Sequence, residues 1–205
     1  MSVALPLMLS ESDVPADPLA LFADWYAVAV AAQLPEPGAM TLATATPDGS
    51  PSARVVLLRG YDERGLVFYT NYQSRKAVEL DVNPHAALVL FWSTLHRQIR
   101  VEGMVAKVSP AESDAYFRGR PYGSQLSALA SPQSEVIAGR QQLESRVAEL
   151  AALYPEDVPR PAHWGGYRLV PQLFEFWQGR ENRLHDRLRY RRGADGAWLL
   201  ERLAP

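Results

Sequence analysis

The spacing of apolar residues changes period near residue 40. Before it, in "DPLALFADWYAVAVAAQ" (17–33), Leu19, Phe22, Trp25, Tyr26, Ala29 and Val30 fall on one helical face. Asp17 can cap this helix and Pro18 suits its first turn. Residues 1–16 show no period; they contain proline, turn acidic in their second half, and read as a flexible arm. From Met40 side chains alternate with period two, the mark of strands.

The alternation predicts strands over "AMTLATAT" (39–46), "ARVVLLRGY" (53–61) and "LVFYT" (66–70), joined by the turns "PDGSPS" and "DERG". "SRKAVELDVN" reads as a short helix ended by Asn83-Pro84. "HAALVLFWS" (85–93) is nearly all apolar and reads as a buried strand paired with "RQIRVEGMVAKVS" (97–109). A helix begins at Ser109, and a longer one spans "SPQSEVIAGRQQLESRVAELAALY" (131–154) with Ser134 as its cap. "YRLVP", "LFEFWQG", "RLHDRLRYRR" and "AWLLERL" complete the strands. The pattern predicts an α+β protein, a barrel or strongly curved, mostly antiparallel sheet with inserted helices. Residues 17–205 read as one domain, because the segment beyond the proline-rich stretch 155–162 is too short to bury a core alone.

Composition narrows the function. The formal net charge of −2 argues against a surface built for nucleic acid. With no cysteine, disulfides, thiolate metal sites and cysteine nucleophiles are excluded. The four histidines show no H-x-x-x-H pairing, so no metal site is expected. No apolar run approaches transmembrane length and the N-terminus lacks a basic signal region, so a cytoplasmic protein is expected. Lys76 and Lys107 are the only lysines among 21 basic residues, which makes a single arginine weak evidence and a retained lysine stronger. No dinucleotide fingerprint, P-loop or G-x-S-x-G occurs.

Four clusters remain. Along "ARVVLLRGY", Arg54, Val56 and Leu58 would share one strand face, and Val55, Leu57 and Arg59 the other. In "YTNYQSRKA", Tyr69 and Thr70 end a strand, and Arg75 and Lys76 sit in the first turn of a helix. Cations there oppose the helix dipole unless an anion is held with them. In "YFRGRPYGSQ", Tyr116, Arg120 and Ser124 recur every four residues, and Gln133 and Ser134 come after them in "SPQS". In "ENRLHDRLRYRR", a strand would turn Arg183, His185 and Arg187 to one side and Leu184 to the other. Each cluster alone is explained as well or better by solvated surface or polar loop; the functional reading is anion binding, with an electron-rich ring as the alternative for the last.

These motifs, in this order, resemble the pyridoxine (pyridoxamine) 5′-phosphate oxidase family. "RVVLLRGYDERGLVFYTNYQSRKA", "RQIRVEG", "YFRGRP", "SPQS", "HWGGYRL", "EFWQG" and "RLHDR" carry the resemblance, which runs from about residue 17 to the C-terminus. It implies a split β-barrel homodimer that binds FMN. It also implies oxidation of pyridoxine 5′-phosphate or pyridoxamine 5′-phosphate to pyridoxal 5′-phosphate, with O2 as acceptor and H2O2 as product. By resemblance FMN is held by Arg54, Val55, Val56, Leu57, Leu58, Tyr69, Thr70, Arg75, Lys76, Gln98, Gln133, Ser134, Trp177 and Arg187. The substrate phosphate falls to Arg59, Tyr116, Arg120 and Ser124. Arg183, Leu184 and His185 would meet the substrate ring, with Arg183 and His185 closest to the chemistry. Arg59 stands where family members often have lysine. Many members also carry an arginine and a tyrosine in an N-terminal arm, which residues 1–18 lack. The alternatives are a flavin or deazaflavin reductase on the same barrel, or a non-catalytic protein that binds pyridoxal phosphate or flavin.

Overall fold

The computed structural model describes residues 8–205. Helix α1 (Pro18–Ala31) starts where the sequence predicts, with Asp17 accepting from the Leu19 amide at 3.0 Å. Nine strands come after it: β1 (Ala39–Ala45), β2 (Pro51–Leu57), β3 (Gly60–Asp62), β4 (Gly65–Asn71), β5 (His85–Trp92), β6 (Arg97–Lys107), β7 (Trp164–Gln178), β8 (Asp186–Arg192) and β9 (Trp198–Arg202). Every pairing among them is antiparallel. Helices α2 (Arg75–Val82), α3 (Pro110–Arg118), α4 (Tyr122–Ala130) and α5 (Arg140–Leu153) are inserted between them.

The sheet runs β2-β1-β5-β6-β7-β4-β3, with β8 and β9 added at the far half of β7. Strand β7 explains the curl. One edge pairs with β6 over Tyr167–Gln178; the other pairs with β4 over Trp164–Leu169 and with β8 over Leu173–Gln178. Where the partners change, Pro171 sits opposite a bulge at Glu102/Gly103. Proline offers no ladder donor, so a bulge suits it. A Cβ on Gly103 would lie 2.0 Å from the Val170 carbonyl oxygen, so only glycine fits there.

The main core fills the curl. Phe22 and Trp25 of α1 pack with Leu42, Phe68, Leu88, Ile99, Phe174, Phe176 and Tyr190. A second, smaller core of Phe117, Leu126, Leu150, Val158 and Trp164 seats α3–α5 on the β4–β7 end. Arg168 of β7 ties that end together, bonding Asp62 at 2.6 Å and Glu112 at 2.8 Å.

Several sequence expectations are corrected. The strand 53–61 breaks at Leu58–Arg59, and "YRLVP" and "LFEFWQG" form one strand, not two. Helix α4 is additional to the expected elements. The helix expected from Ser134 begins only at Arg140, because Ser134 has φ 77 in an irregular loop. Strand β5 is buried on one face only; Phe91 is 59% exposed on the other. Strand β8 begins at Asp186, and Glu181–Arg183 form a short 3₁₀ turn. Arg183, His185 and Arg187 therefore do not share a strand face.

The arm expected over residues 1–16 falls partly on residues 1–7, outside the described residues. Over the rest, Leu9 is buried and donates its amide to Asp186 at 3.2 Å. Glu11 pairs with Arg202 at 2.7 Å, and Tyr190 donates to the Pro15 carbonyl at 2.8 Å. No helix among the described residues is long and apolar enough to cross a membrane.

Candidate active site

A cavity of about 260 Å3 opens between β2, β4, α2 and α3, lined by Arg54, Val55, Val56, Leu57, Arg59, Tyr69, Thr70, Lys76, Tyr116, Arg120, Gln133 and Trp164. The break after Leu57 explains its composition. A continuous strand would turn Arg54 and Arg59 to opposite faces; the interruption brings both to one cavity. Arg59, Tyr116 and Arg120, assigned by resemblance to the substrate phosphate, thus line the same space as Arg54 and Lys76.

Each cation is fixed differently. Arg54 donates to the Leu42 carbonyl at 3.2 Å, to Thr44 at 2.6 Å, to Ser52, and to Glu79 at 3.2 Å. Glu79, on α2, also accepts from Ser52 at 2.6 Å and from Arg75 at 2.9 Å. Burial would raise the Glu79 carboxyl, but these hydroxyl and guanidinium donors outweigh it and hold it down at about 2. Lys76 reaches back from the first turn of α2 and donates to Thr70 (3.2 Å), Ser74 (3.2 Å) and Gln133 (3.0 Å). Burial, and then Arg54, push its pKa down to about 8 despite Glu79.

Arg120 lies just beyond α3 and rests on an aromatic slab. Tyr69 and Tyr116 stack at 3.8 Å, Trp164 lies parallel to both, and the Arg120 guanidinium sits 4.5 Å from the Trp164 ring. Its Nη1 is buried without a hydrogen-bond partner. Burial lowers its pKa, and Arg59 adds to that against Tyr116. Four cations, one buried and depressed and one with an orphaned donor, fit a phosphate-bearing ligand such as a flavin mononucleotide.

The remaining candidates lie elsewhere. Leu58 is buried in the main core. Arg75 points its side chain outward to Glu79, while its backbone amide donates to Ser134 Oγ at 3.2 Å. Ser134 thus caps α2 from across the fold. Ser124 lies on α4 outside the cavity lining.

Gln98, Trp177 and Arg187 form a second patch. They are direct cross-strand partners on β6, β7 and β8, and Phe91 of β5 faces Gln98. Direct partners share a face, so the four make one row on the outer side of the sheet. Arg187 is held by Glu175 at 2.8 Å and by the Ala204 carbonyl at 2.8 Å. The His185 ring packs against Trp177 at 4.7 Å. Leu184 is 71% exposed, and Arg183 is exposed with φ 61. None of this patch lines the cavity.

Sequence reasoning missed Trp164, Glu79, Thr44 and Ser52. Arg75 and Glu79, four apart on a helix, were a usable signal. Trp164 falls at the end of the proline-rich connection, and "HWGGYRL" serves only as one motif of the resemblance, with no role given to its tryptophan.

The chain is similar to known proteins. A family model described as pyridoxamine 5'-phosphate oxidase matches residues 28–154. A second, described as pyridoxine 5'-phosphate oxidase C-terminal dimerisation region, matches residues 164–205. The chain is 58% identical over 197 residues to a pyridoxine/pyridoxamine 5'-phosphate oxidase of Cupriavidus pinatubonensis, covering 96% of this chain and 93% of that protein. It is 57% identical, with the same coverage, to one of Bordetella petrii. Among solved structures, PhzG from Burkholderia lata in complex with tetrahydrophenazine-1-carboxylic acid superposes with a TM-score of 0.93 at 37% identity, covering 99% of this chain and 100% of that one. A pyridoxamine 5'-phosphate oxidase-related, FMN binding protein from Nostoc punctiforme gives 0.72 at 22% identity, covering 90% and 96%, and shares the fold.

Proposed function

Because this chain belongs to the pyridoxamine 5'-phosphate oxidase family of oxidoreductases, we propose that it oxidises pyridoxine 5′-phosphate or pyridoxamine 5′-phosphate to pyridoxal 5′-phosphate, with FMN as cofactor and O2 as final acceptor. The observation that carries this reading is the single cavity in which Arg54, Lys76, Arg59 and Arg120 converge. Two phosphate dianions, one on the cofactor and one on the substrate, match four cations lining one open cavity. FMN, when bound, supplies the hydride acceptor.

In this reading the chain's own residues do three things. Lys76, Arg54 and the α2 N-terminus hold the cofactor phosphate. Arg59 and Arg120, with the Tyr116 hydroxyl, hold the substrate phosphate and so fix where its ring lies. Gln98, Trp177, Arg187, Arg183 and His185 meet the two ring systems.

The second patch lies outside the cavity, so the site is completed by a second copy of this chain. The outward-facing row from exposed Phe91 to half-buried Arg187, and the match of residues 164–205 to a dimerisation region, support a homodimer that brings one protomer's patch to its partner's cavity.

A second reading is favoured by the likeness to PhzG, whose bound ligand bears a carboxylate and no phosphate. Such a substrate would leave Arg59 and Arg120 sharing one negative charge. The experiment is anaerobic mixing of the FMN-loaded protein with pyridoxine 5′-phosphate. The flavin band should bleach, then recover with peroxide formation in air. A band that stays unbleached rejects the reading.

A further inference from the structure

The loop joining β7 to β8 carries the residues assigned to the substrate ring, and its backbone is strained. Asn182 (φ 54) and Arg183 (φ 61) are consecutive non-glycine residues in the left-handed region. Each costs roughly 1–2 kcal/mol there. Such a loop persists only where its ends are fixed. At its entry the Gly179 amide donates to the His96 carbonyl at 2.7 Å, and a Cβ on Gly179 would lie 2.9 Å from the His96 Cβ.

Arg180 makes the second clamp, and it does so twice. Its backbone amide donates to His185 Nδ1 at 3.0 Å, and its side-chain Nε donates to Asp186 at 2.7 Å. Asp186 is buried and also receives the Leu9 amide at 3.2 Å and Arg202 at 3.0 Å. Burial alone would raise its carboxyl, but these donors hold it below the usual range, so it stays ionised. The carboxylate is therefore a fixed anchor for Arg180, and Arg180 a fixed donor to the His185 ring.

We propose that Asp186 and Arg180 are positioning residues that lock His185 in the neutral tautomer protonated on Nε2. A backbone amide only donates, so Nδ1 must keep its lone pair and the ring proton goes to Nε2. Trp177, 4.7 Å away, sets the plane of the ring from the side. Nε2 makes no hydrogen bond among the described residues, so its N–H is the group the loop presents. His185 is then a specificity-determining donor. It selects a heteroaromatic substrate that presents an acceptor there, such as an ionised ring hydroxyl. The identity of that ring rests on the function proposed above; the tautomer does not.

The test is nitrogen-15 NMR of the imidazole rings in the FMN-loaded protein, with His185 assigned by its loss in His185→Gln. The expected result is a protonated Nε2 and an unprotonated Nδ1 for neutral His185. A proton on Nδ1 overturns the proposal, whatever the protein oxidises, and this measurement needs no folded positioning variant. Arg180→Ala keeps the backbone amide and removes the tether to Asp186; Asp186→Asn keeps the shape and removes the charge. Each should turn the single tautomer into a mixture. Each should also lower kcat on the order of tenfold, with KM and flavin content within about twofold. An unchanged tautomer and an unchanged kcat in both variants would equally overturn it. Failure of pyridoxine 5′-phosphate to bleach the flavin, with the Nε2 tautomer observed, would reject the substrate and leave the lock standing.

Discussion

Ser134 Oγ accepts the backbone amide of Arg75 from 59 positions away in the sequence, at 3.2 Å. A loop residue thereby caps the helix that carries Lys76 and Glu79, next in sequence to Gln133, which lines the cavity. Ser134→Ala should lower stability by about 1 kcal/mol, the usual cost of a lost cap. It should also weaken flavin binding several-fold. Thermal melts with and without FMN separate the two effects; equal shifts in both would restrict Ser134 to a structural role.

If Lys76 holds the cofactor phosphate as proposed, flavin affinity should depend on pH. In the folded protein without ligand its pKa is about 8, against an ordinary 10.5. A bound phosphate favours the charged form and raises it. Affinity should be flat below pH 8 and fall above it, by up to about tenfold per unit, until the bound-state pKa is passed. Stability without ligand should move the opposite way. Between pH 8 and 10.5 the unfolded chain binds more protons, so stability rises with pH. Fluorescence titration of FMN across this window checks the first; Lys76→Met should abolish the slope.

Arg120→Ala should cost about 10- to 100-fold in kcat/KM through KM, the range for a lost charged hydrogen bond, with flavin content unchanged. Trp164→Leu removes the ring beneath the guanidinium and should act in the same direction, more weakly. Loss of flavin in Arg120→Ala would mean that the two phosphate assignments within the cavity are exchanged.

Removing the Glu79 carboxylate leaves Arg54 and the Thr44 and Ser52 hydroxyls without their shared acceptor. Glu79→Ala should destabilise by about 3–5 kcal/mol. Because its folded pKa is about 2, the stability it provides is present above the ordinary carboxylate value of 4.5 and is lost as pH falls toward 2. Acid unfolding of wild type and variant should converge near that pH. Parallel curves would mean that Glu79 contributes nothing to the acid sensitivity of the fold.

Phe91 lies at the head of the row that continues through Gln98, Trp177 and Arg187. Phe91→Glu should dissociate the proposed dimer and, if each site is shared between copies as proposed, release flavin as well. Sedimentation and flavin absorbance should change together. A monomer that keeps its flavin at wild-type affinity would place the whole cofactor site within one chain.

Much of this arrangement was legible in the sequence. The period change at Met40 marked the sheet, and Asp17 and Ser109 marked their helix starts, because alternation and caps are local signals. The strand break at Leu58 was not legible. Residues 53–61 alternate well throughout, and only the packing of Leu58 in the core and the separate pairing of Gly60 with Val67 interrupt them. Ser134 misled for a related reason: it does cap a helix, but one far away in the chain. In "RLHDRLRYRR" the alternation is genuine from Asp186 onward. Before it, the Arg180–Asp186 and Arg180–His185 bonds override local preference and turn Arg183 and His185 out of the ladder.

Asp186 binds Leu9 near one end of the described chain and Arg202 near the other. The fold is therefore fastened like a belt, with Arg202 and the Asp186 and Glu11 carboxylates as the buckle. Opening from either end must loosen the same cluster, which couples the two ends. The Leu9 amide should consequently exchange its hydrogen as slowly as the strands of the barrel.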